Sequence, residues 1–305
     1  MRHLVTLSDV SAAEISRIYS ITKDLKSKYA EGRREALLPG RVMALLFEKP
    51  SLRTRVSFEA GMAHLGGTTI VLGDEAGFGK RESIADFVRV LSEMVDVIVV
   101  RARLHQTVQQ FADHSACAVI NGLTDHAHPC QVLADLYTLE EQCGQLAGLR
   151  LAWVGDGNNV ARSLVRGCGH LGVQLAVCTP PGYELDTPFL AIMKREYPAL
   201  DLTTTHDPHE AVRGAAAVYT DVWASMGQEA EQAKRKKDFA DYQINGRLMS
   251  AAPSDAYFLH CLPAHRGEEV TDEVIDGPQS IVIEQAANRM HVQKGILVWL
   301  LATQA

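Results

Sequence analysis

The feature that most restricts the fold of this chain is a regular alternation of short apolar runs with longer segments of helical periodicity. Buried strands of a parallel sheet appear as continuous apolar runs, and the helices between them cover both faces of the sheet. The sequence is therefore predicted to form an α/β protein with two parallel sheets. The predicted strands span residues 42–47, 69–72, 97–100, 118–120, 149–154, 174–178, 202–204, 216–220, 256–260 and 281–283.

The two sets of strands are separated by a weak break at residues 144–148, which begins and ends with glycine. A length of 305 residues also suits two domains. We expect a first domain at residues 1–145, a second at residues 146–284, and a C-terminal helical segment at residues 285–305. Ligands of parallel sheets bind beyond the carboxyl ends of the strands, so the residues that follow the strands are the candidates for a site.

The composition argues against several classes of partner. A net charge of −7 and a pI of about 5.9 disfavour nucleic acids and anionic membranes. No apolar run approaches the length of a membrane span, and the N-terminal segment lacks the apolar core of a signal peptide. We therefore expect a cytoplasmic protein. The six cysteines are scattered without a C-x-x-C pair, which disfavours a disulfide framework and a structural zinc site.

A polar cluster begins the helix that is predicted after the strand at residues 42–47. Pro50 and Ser51 mark a turn and a helix start, and Arg53 and Thr54 fall in the first turn. A helix N-terminus offers unpaired N–H groups and the positive end of the helix dipole. Two hydroxyls and a guanidinium at that position favour a phosphate or a similar oxyanion. The alternative is a capped helix with solvated arginines.

Two further strand ends carry candidate polar residues. Arg101 follows an apolar strand and offers a second guanidinium for a dianion, although an arginine there can also extend to solvent. His126, His128 and Cys130 stand at a helix entrance, where their spacing does not give a good tetrahedral metal site. We instead expect His128 to donate a hydrogen bond to a polarised carbonyl oxygen, with Gln131 one turn further along.

The second half of the chain carries three more candidate segments. Residues 155–160, GDGNNV, follow a strand and begin a helix, which is the context of a dinucleotide-binding fingerprint. Val160 replaces the third glycine, and no acidic residue ends the next strand, so nicotinamide binding is the weaker interpretation. Asp221 follows a strand and could cap a helix or bind a ligand. Cys261, in the sequence HCLP, is either an inert buried thiol or a thiol at the site.

These segments together resemble the ornithine branch of the aspartate/ornithine carbamoyltransferase family, over the whole length of the chain. The matching motifs are SLRTR after FEKP, HPCQ, GDGNNV, Asp221 followed by SMG, HCLP, and the segment EQAANRMHVQ of the last helix. The resemblance implies an active site in the cleft between the two domains and a C-terminal helix that returns to the first domain. It also implies carbamoyl transfer from carbamoyl phosphate to the δ-amine of L-ornithine without a metal or an organic cofactor, and a homotrimer or a multiple of trimers.

The resemblance further implies a role for each motif residue. The phosphate is expected to contact Ser51, the backbone of Leu52, Arg53, Thr54 and Arg101, and the carbonyl oxygen to contact Thr54, Arg101 and His128. Gln131, the Leu262 carbonyl and Arg289 are expected to orient the carbamoyl amide. Asn159, Asp221, Ser225 and Met226 are expected to bind ornithine, with Cys261 beside the attacking amine and the carbamoyl group.

Two departures from the family pattern are visible. Leu52 stands where many members have Thr, so only a backbone contact is expected there. Gly77 stands where members usually have a Gln or His that reaches a neighbouring subunit, which leaves Lys80 or Arg81 as the alternative contact. Three other functions stay open: carbamoyl transfer to another amine such as putrescine, an NAD-binding oxidoreductase, and an inactive regulatory relative. The intact set of Arg53, His128 and Cys261 argues against the last. The sequence leaves open whether the reaction serves arginine biosynthesis or catabolism.

Overall fold

The computed structural model describes residues 2–73, 81–224 and 229–302. It divides into two compact units, one formed by Met1–Tyr137 and Ala287–Ala305 and the other by Thr138–Ala286. The helices are α1 (Ala12–Ala30), α2 (Leu52–His64), α3 (Ile84–Ser92), α4 (His105–His114), α5 (Pro129–Cys143), α6 (Asn159–Leu171), α7 (Thr187–Glu196), α8 (Pro208–Val212), α9 (Gln232–Asp238), α10 (Gly246–Met249), α11 (Asp272–Ile275) and α12 (Val282–Leu301). The strands are β1 (Val42–Phe47), β2 (Thr68–Leu72), β3 (Val97–Arg101), β4 (Ala118–Leu123), β5 (Arg150–Val154), β6 (Gln174–Cys178), β7 (Leu202–Thr205), β8 (Ala217–Thr220) and β9 (Tyr257–His260).

The first unit contains a four-stranded parallel sheet in the order β2-β1-β3-β4. Ala44, Leu46, Ile98 and Val100 from β1 and β3 are buried in its core. In the register of the sheet, Phe47 lies opposite Arg101, so β1 and β3 end at the same edge. The segments that follow these strands therefore begin at one edge, which places the start of α2 close to Arg101.

The second unit contains a five-stranded parallel sheet in the order β7-β6-β5-β8-β9. Val154 lies opposite Cys178 at the end of β5, and Thr220 lies opposite His260 at the end of β8. The residues that follow β5, β8 and β9 consequently share one edge of this sheet. The prediction of two α/β units with parallel sheets is confirmed.

Local signals also account for where helices begin. Ser11 and Glu14 form the reciprocal hydrogen bonds of a capping box at the start of α1. Ser51 caps α2 by accepting a hydrogen bond from the Thr54 backbone. Within the described residues, no helix is both long and apolar enough to cross a membrane.

The strand predicted at residues 281–283 is wrong, because α12 already begins at Val282. Only a single bridge forms before the helix, between Phe258 and Ser280. Val282 is buried whereas Ile283 is 70% exposed, which is the burial pattern of a helix surface rather than of a strand inside a sheet. A run of three apolar residues is too short to separate a buried strand from the first turn of a helix by composition.

Both boundaries between the two compact units fall within helices of the sequence rather than in loops. The division at Tyr137 lies inside α5, and the division at Ala286 lies inside α12. The sequence-based boundaries at residues 145/146 and 284/285 stay a prediction. Most of α12, from Ala287 onward, belongs to the first unit.

The packing of α12 on α1 requires a residue without a side chain at position 295. A Cβ atom on Gly295 would lie 2.3 Å from the Thr22 Oγ1 atom and 2.8 Å from the Ile18 carbonyl oxygen. Such contacts force the two helices apart, because a buried interface does not absorb extra volume freely.

We predict that Gly295→Ala lowers the free energy of unfolding by about 1–3 kcal/mol, measured by chemical denaturation. Gly61→Ala is the matched control, because position 61 is also inside a helix and the added Cβ would be 3.4 Å from Lys294 Cγ and 3.7 Å from the Met290 carbonyl oxygen, both ordinary contact distances. The control should be neutral or slightly stabilising, since glycine inside a helix costs up to about 1 kcal/mol relative to alanine. Equal unfolding midpoints for Gly295→Ala and the unmodified chain would contradict the packing argument.

Candidate active site

The hydroxyl of Thr54 is the centre of the polar cluster in the first unit. Thr54 is fully buried in the first turn of α2, and its Oγ1 atom is 3.1 Å from the Ser51 hydroxyl. Arg101 Nη1 donates to the same oxygen at 3.3 Å, and Arg289 Nη2 donates to it at 3.1 Å. Two guanidinium groups therefore converge on a neutral oxygen at the N-terminus of a helix, whose dipole adds further positive potential.

Arg53 is a third candidate arginine of the first unit and directly precedes Thr54 in the first turn of α2. Its side chain is half-buried and has no hydrogen-bond or ion-pair partner within the described part of the chain. The neighbouring Leu52 side chain is 73% exposed. An apolar side chain cannot donate a hydrogen bond, so at position 52 only the backbone N–H could bond an anion at the helix start.

His128 and Gln131 lie at the start of α5 and are both buried. Burial, with smaller contributions from Arg289 and Arg101, lowers the pKa of His128 well below its usual value, so the imidazole is neutral at physiological pH. Gln131 donates its Nε2 to Asp135 Oδ1 at 2.8 Å. Its Oε1 atom is buried and accepts no hydrogen bond from any described residue. Gln131 therefore presents an unused acceptor to a ligand with an N–H group.

The carboxylate of Asp221 is the centre of the polar cluster in the second unit. Cys261 Sγ donates to its Oδ1 atom at 2.9 Å, and Asn158 Nδ2 donates to its Oδ2 atom at 3.0 Å. The Val222 backbone also donates to Oδ1, at 2.8 Å. All three donors are neutral, so the carboxylate is oriented without losing its charge. Asp221 does not cap a helix, because residues 222–224 are not helical.

Asn158 is the residue of this cluster that the sequence interpretation missed. Its Oδ1 atom accepts hydrogen bonds from the backbones of Val160 and Ala161, so the same side chain caps α6 and holds Asp221. The available signal was its position directly before a helix, where asparagine is favoured as a cap. The neighbouring Asn159, the predicted ligand, is half-buried at the first position of α6.

The GDGNNV loop is not arranged like a dinucleotide site. A Cβ atom on Gly157 would lie 2.7–2.8 Å from backbone atoms of Tyr183, Glu184 and Leu185, so this glycine allows close packing of the chain on itself. The Asn158 side chain already occupies the first free N–H groups of α6, which a pyrophosphate would need. Both observations disfavour nicotinamide binding.

His260 and Glu269 fix the backbone after β9. The Leu262 N–H donates to His260 Nδ1 at 2.9 Å, so Nε2 carries the proton and donates to Glu269 Oε1 at 3.2 Å. Both side chains are fully buried. Leu262 itself has a φ of 55°, an uncommon conformation for a leucine. The pair therefore holds Leu262 and the adjoining Cys261 in a defined orientation.

Among the residues that the structure describes, two groups of side chains have potential metal-ligand atoms within 4.8 Å of one another: Asp221 with His260 and Cys261, and His265 with Glu268 and Glu269. In the first group both ring nitrogens of His260 are engaged, by Leu262 and by Glu269. In the second group Glu268 pairs with Lys236 at 2.6 Å.

Four residues named from the sequence lie outside the described part of the chain. They are Gly77, Lys80, Ser225 and Met226. Arg81, the other proposed replacement for the contact at Gly77, is exposed. The remaining candidates divide between the two units. Those of the first unit are Ser51, Arg53, Thr54, Arg101, His128, Gln131 and Arg289, and those of the second are Asn159, Asp221, Cys261 and Leu262.

Comparison with known proteins is consistent along the entire chain. Residues 2–141 match the carbamoyl-phosphate-binding domain of the aspartate/ornithine carbamoyltransferases, and residues 147–300 match their aspartate/ornithine-binding domain. An ornithine carbamoyltransferase from Carboxydothermus hydrogenoformans is 50% identical over 303 residues, or 98% of this chain and 97% of that protein. One from Methylococcus capsulatus is 48% identical over 98% of each chain.

Solved structures give the same result. The ornithine carbamoyltransferase from Pyrococcus furiosus is similar with a TM-score of 0.96 at 46% identity, covering 99% of this chain and 97% of that one. The anabolic ornithine carbamoyltransferase from Campylobacter jejuni has a TM-score of 0.93 at 33% identity, covering 100% of both chains. The chain belongs to the aspartate/ornithine carbamoyltransferase family, and within it to the ornithine carbamoyltransferases.

Proposed function

We propose that this protein transfers the carbamoyl group of carbamoyl phosphate to the δ-amine of L-ornithine, giving L-citrulline and phosphate. The observation that carries the proposal is the pair of clusters of opposite charge. One offers the Arg101 and Arg289 guanidinium groups on the Thr54 hydroxyl, with Arg53 in the same helical turn, and the other offers the Asp221 carboxylate held by neutral donors. Carbamoyl phosphate is a dianion, and ornithine carries an α-ammonium.

The phosphate is assigned to the N-terminus of α2. Ser51, the Leu52 backbone, Arg53 and Thr54 stand in its first turn, and Arg101 approaches the same hydroxyl from β3. The free Arg53 guanidinium can give two parallel hydrogen bonds to phosphate oxygens, which strengthens and orients binding. As the bond from the carbamoyl carbon to the bridging oxygen breaks, the phosphate leaves with the electron pair, and these donors stabilise the added charge.

The carbamoyl group is assigned to the donors and acceptors beside this cluster. Thr54, Arg101 and neutral His128 donate to the carbonyl oxygen, where negative charge develops during attack. The free Gln131 Oε1 atom and the Leu262 carbonyl accept from the carbamoyl NH₂ group, and Arg289 adds its charge beside Thr54. No resident metal or organic cofactor is required for this step, because addition and elimination need only proton transfer and charge stabilisation.

Ornithine is assigned to the second cluster. Asp221 pairs with the α-ammonium, Asn159 donates to the α-carboxylate, and Cys261 lies beside the δ-amine. Ser225 and Met226 complete the proposed contacts. The neutral δ-amine attacks the carbonyl carbon, forms the new C–N bond and then releases a proton. Putrescine lacks the α-carboxylate, so it would leave polar groups of the site unpaired.

We also propose that the protein is cytoplasmic and assembles as a trimer or a multiple of trimers. Support for assembly comes from exposed apolar side chains on the first unit: Leu52 is 73% exposed, Val56 53% and Ile70 47%. Leu52 and Val56 share one exposed side of α2, and Ile70 lies on the edge strand β2. Sedimentation velocity tests the assembly, and a fully active monomer would refute it.

The function is tested with the purified protein, carbamoyl phosphate, and ornithine, putrescine or aspartate in separate reactions. Each carbamoylated product is quantified by mass spectrometry. Citrulline should form far faster than the other two products. Faster carbamoylation of putrescine would assign a different amine substrate, and saturable binding of NADH without any transfer would favour an oxidoreductase.

We predict that Arg53→Lys raises the KM for carbamoyl phosphate and lowers kcat, together by at least a hundredfold in kcat/KM. A lysine ammonium cannot reproduce the paired hydrogen bonds of a guanidinium. Arg55→Lys is the matched control, because Arg55 is exposed in the same turn and its Nε pairs with Glu59 at 3.0 Å. Kinetics of Arg53→Lys that equal those of Arg55→Lys would remove Arg53 from the phosphate site.

We predict that His128 stays neutral at pH 6.5, where an ordinary histidine is half-protonated, measured from the imidazole ¹⁵N shifts of labelled protein. Inorganic phosphate should raise its pKa, because a bound anion offsets the Arg101 and Arg289 charges, which lower that pKa after burial. Since an unfolded histidine has a pKa of about 6.5, the unfolded chain takes up this proton first, and the stability contributed by neutral His128 declines below that pH. Half-protonation near pH 6.5 in the folded protein would contradict a neutral donor.

We predict that Asp221→Asn raises the KM for ornithine by about 10–100-fold, the range expected for losing a charge-assisted hydrogen bond. The KM for carbamoyl phosphate should change less than twofold. Asp241→Asn removes an exposed carboxylate of the same unit and serves as the control.

In the unmodified protein, kcat/KM for ornithine should rise from pH 6 to 9, because an alkyl amine with a pKa of about 10.4 becomes increasingly neutral. A flat pH profile would remove the requirement for a neutral δ-amine.

A further inference from the structure

Arg235 is a buried cation of the second unit to which the proposed reaction gives no role. It lies on the short helix α9 and is only 6% exposed. Its neighbours Lys234 and Lys236 have side chains 73% and 48% exposed. A buried guanidinium is costly unless charged and polar partners surround it, so the partners of Arg235 indicate what holds it inside.

Those partners come from two loops that adjoin the candidate ornithine residues. Arg235 Nη1 is 2.7 Å from Asp156 Oδ2 and 2.9 Å from the Trp223 carbonyl oxygen. Asp156 precedes Asn158 by two residues in the loop after β5, and Trp223 follows Asp221 by two residues after β8.

Contacts on the helix side anchor the guanidinium itself. Arg235 Nε donates to Glu231 Oε2 at 3.0 Å, one turn earlier along the chain. The guanidinium carbon lies 4.9 Å from the centroid of the Tyr183 ring, within cation–π distance. The Tyr183 hydroxyl donates to Asp238 of the same helix at 2.7 Å. The arginine is thus held on α9 by these contacts and reaches both loops from that helix.

We propose that Arg235 is a positioning residue for the amino-acid substrate. By joining Asp156 to the Trp223 carbonyl, it holds the two loops at the separation at which Asn158 and Asp221 form their 3.0 Å hydrogen bond. The Asp221 carboxylate and Asn159 are then preorganised for the α-ammonium and α-carboxylate. This inference rests on the proposed function.

A role of Arg235 through its charge and a role through its position predict opposite effects of its removal on ornithine binding. Burial raises the pKa of the Asp156 carboxyl and Arg235 opposes that rise, while Asp221 adds a like charge nearby. If charge alone mattered, losing the guanidinium would leave the site more negative and would attract the ornithine α-ammonium more strongly. If Arg235 acts by position, its loss lets the loops separate and weakens ornithine binding despite the more favourable charge.

The experiment compares Arg235→Gln, Arg235→Lys and the double variant Asp156→Asn/Arg235→Gln with the unmodified protein. Arg266→Gln is the matched control, because Arg266 is an exposed arginine of the same unit that pairs with Asp272 and Asp276. For each variant the KM for ornithine, the KM for carbamoyl phosphate, kcat and the thermal midpoint are measured.

Arg235→Gln should raise the KM for ornithine at least tenfold and change the KM for carbamoyl phosphate less than twofold. Arg235→Lys should fall between Gln and Arg, because one ammonium cannot bond Asp156, Glu231 and the Trp223 carbonyl together. The double variant should keep the high KM for ornithine, since removing the Asp156 charge does not rejoin the loops. Arg266→Gln should retain both KM values.

Several results would overturn the inference. An unchanged or lowered KM for ornithine, with or without a lower thermal midpoint, would mean that Arg235 only stabilises the unit or acts by charge. An equal rise in both KM values would also refute it. If Arg235→Gln fails to fold, the Lys variant decides by the same criterion. No citrulline from the unmodified protein would refute the proposed function, whereas an active protein with unaltered Arg235 variants would refute this inference alone.

Discussion

The hydrogen bonds to the Thr54 hydroxyl are the constraint on which the first cluster depends. One oxygen accepts from Ser51, Arg101 and Arg289, which come from the turn before α2, the end of β3 and α12. A neutral oxygen accepts from both guanidinium groups without cancelling either charge. Burial of His128 disfavours its protonation and the two arginine charges disfavour it further, so the pKa of this imidazole lies well below its usual value.

The second cluster uses the opposite arrangement. Here the charged group, the Asp221 carboxylate, is central, and the surrounding donors Asn158, Cys261 and the Val222 N–H are neutral. Neutral donors fix the direction of a carboxylate without neutralising it, so its charge remains for a cationic ligand. The two clusters therefore carry charges of opposite sign, which suits one to a dianion and the other to an ammonium.

Much of this architecture follows from short-range sequence signals. The apolar runs predict β1, β3 and β6 to within one residue, and the Ser51 cap predicts the start of α2. Parallel strands bring their carboxyl ends to one edge, so motif residues directly after strands could be identified as a site without knowing any side-chain contact. The wrong prediction of a strand at residues 281–283 also came from a local signal. A short apolar run does not reveal that Ile283 is exposed on a helix surface.

Contacts between residues distant in sequence could not be predicted in this way. Thr54 was expected as a ligand-binding hydroxyl, yet 235 residues of chain separate it from Arg289, and no local pattern reveals that the two meet. Asn158 looked like part of a glycine-rich loop rather than a support for Asp221, 63 residues further on. Such contacts depend on the order of the strands in each sheet, which local sequence patterns do not specify.

The burial of Arg235 likewise could not be predicted from the local pattern of charges. It belongs to a run of four consecutive basic residues, which as a sequence is typical of a solvated helix face. In the structure one of the four turns inward to Asp156, 79 residues earlier in the chain, and to the Trp223 carbonyl. Two of its three acceptors, Asp156 and the Trp223 carbonyl, belong to loops that follow strands, whereas the third, Glu231, directly precedes α9. The free energy needed to bury this guanidinium is therefore recovered only when both loops hold their native positions. Burial of the charge and placement of the two loops consequently depend on each other.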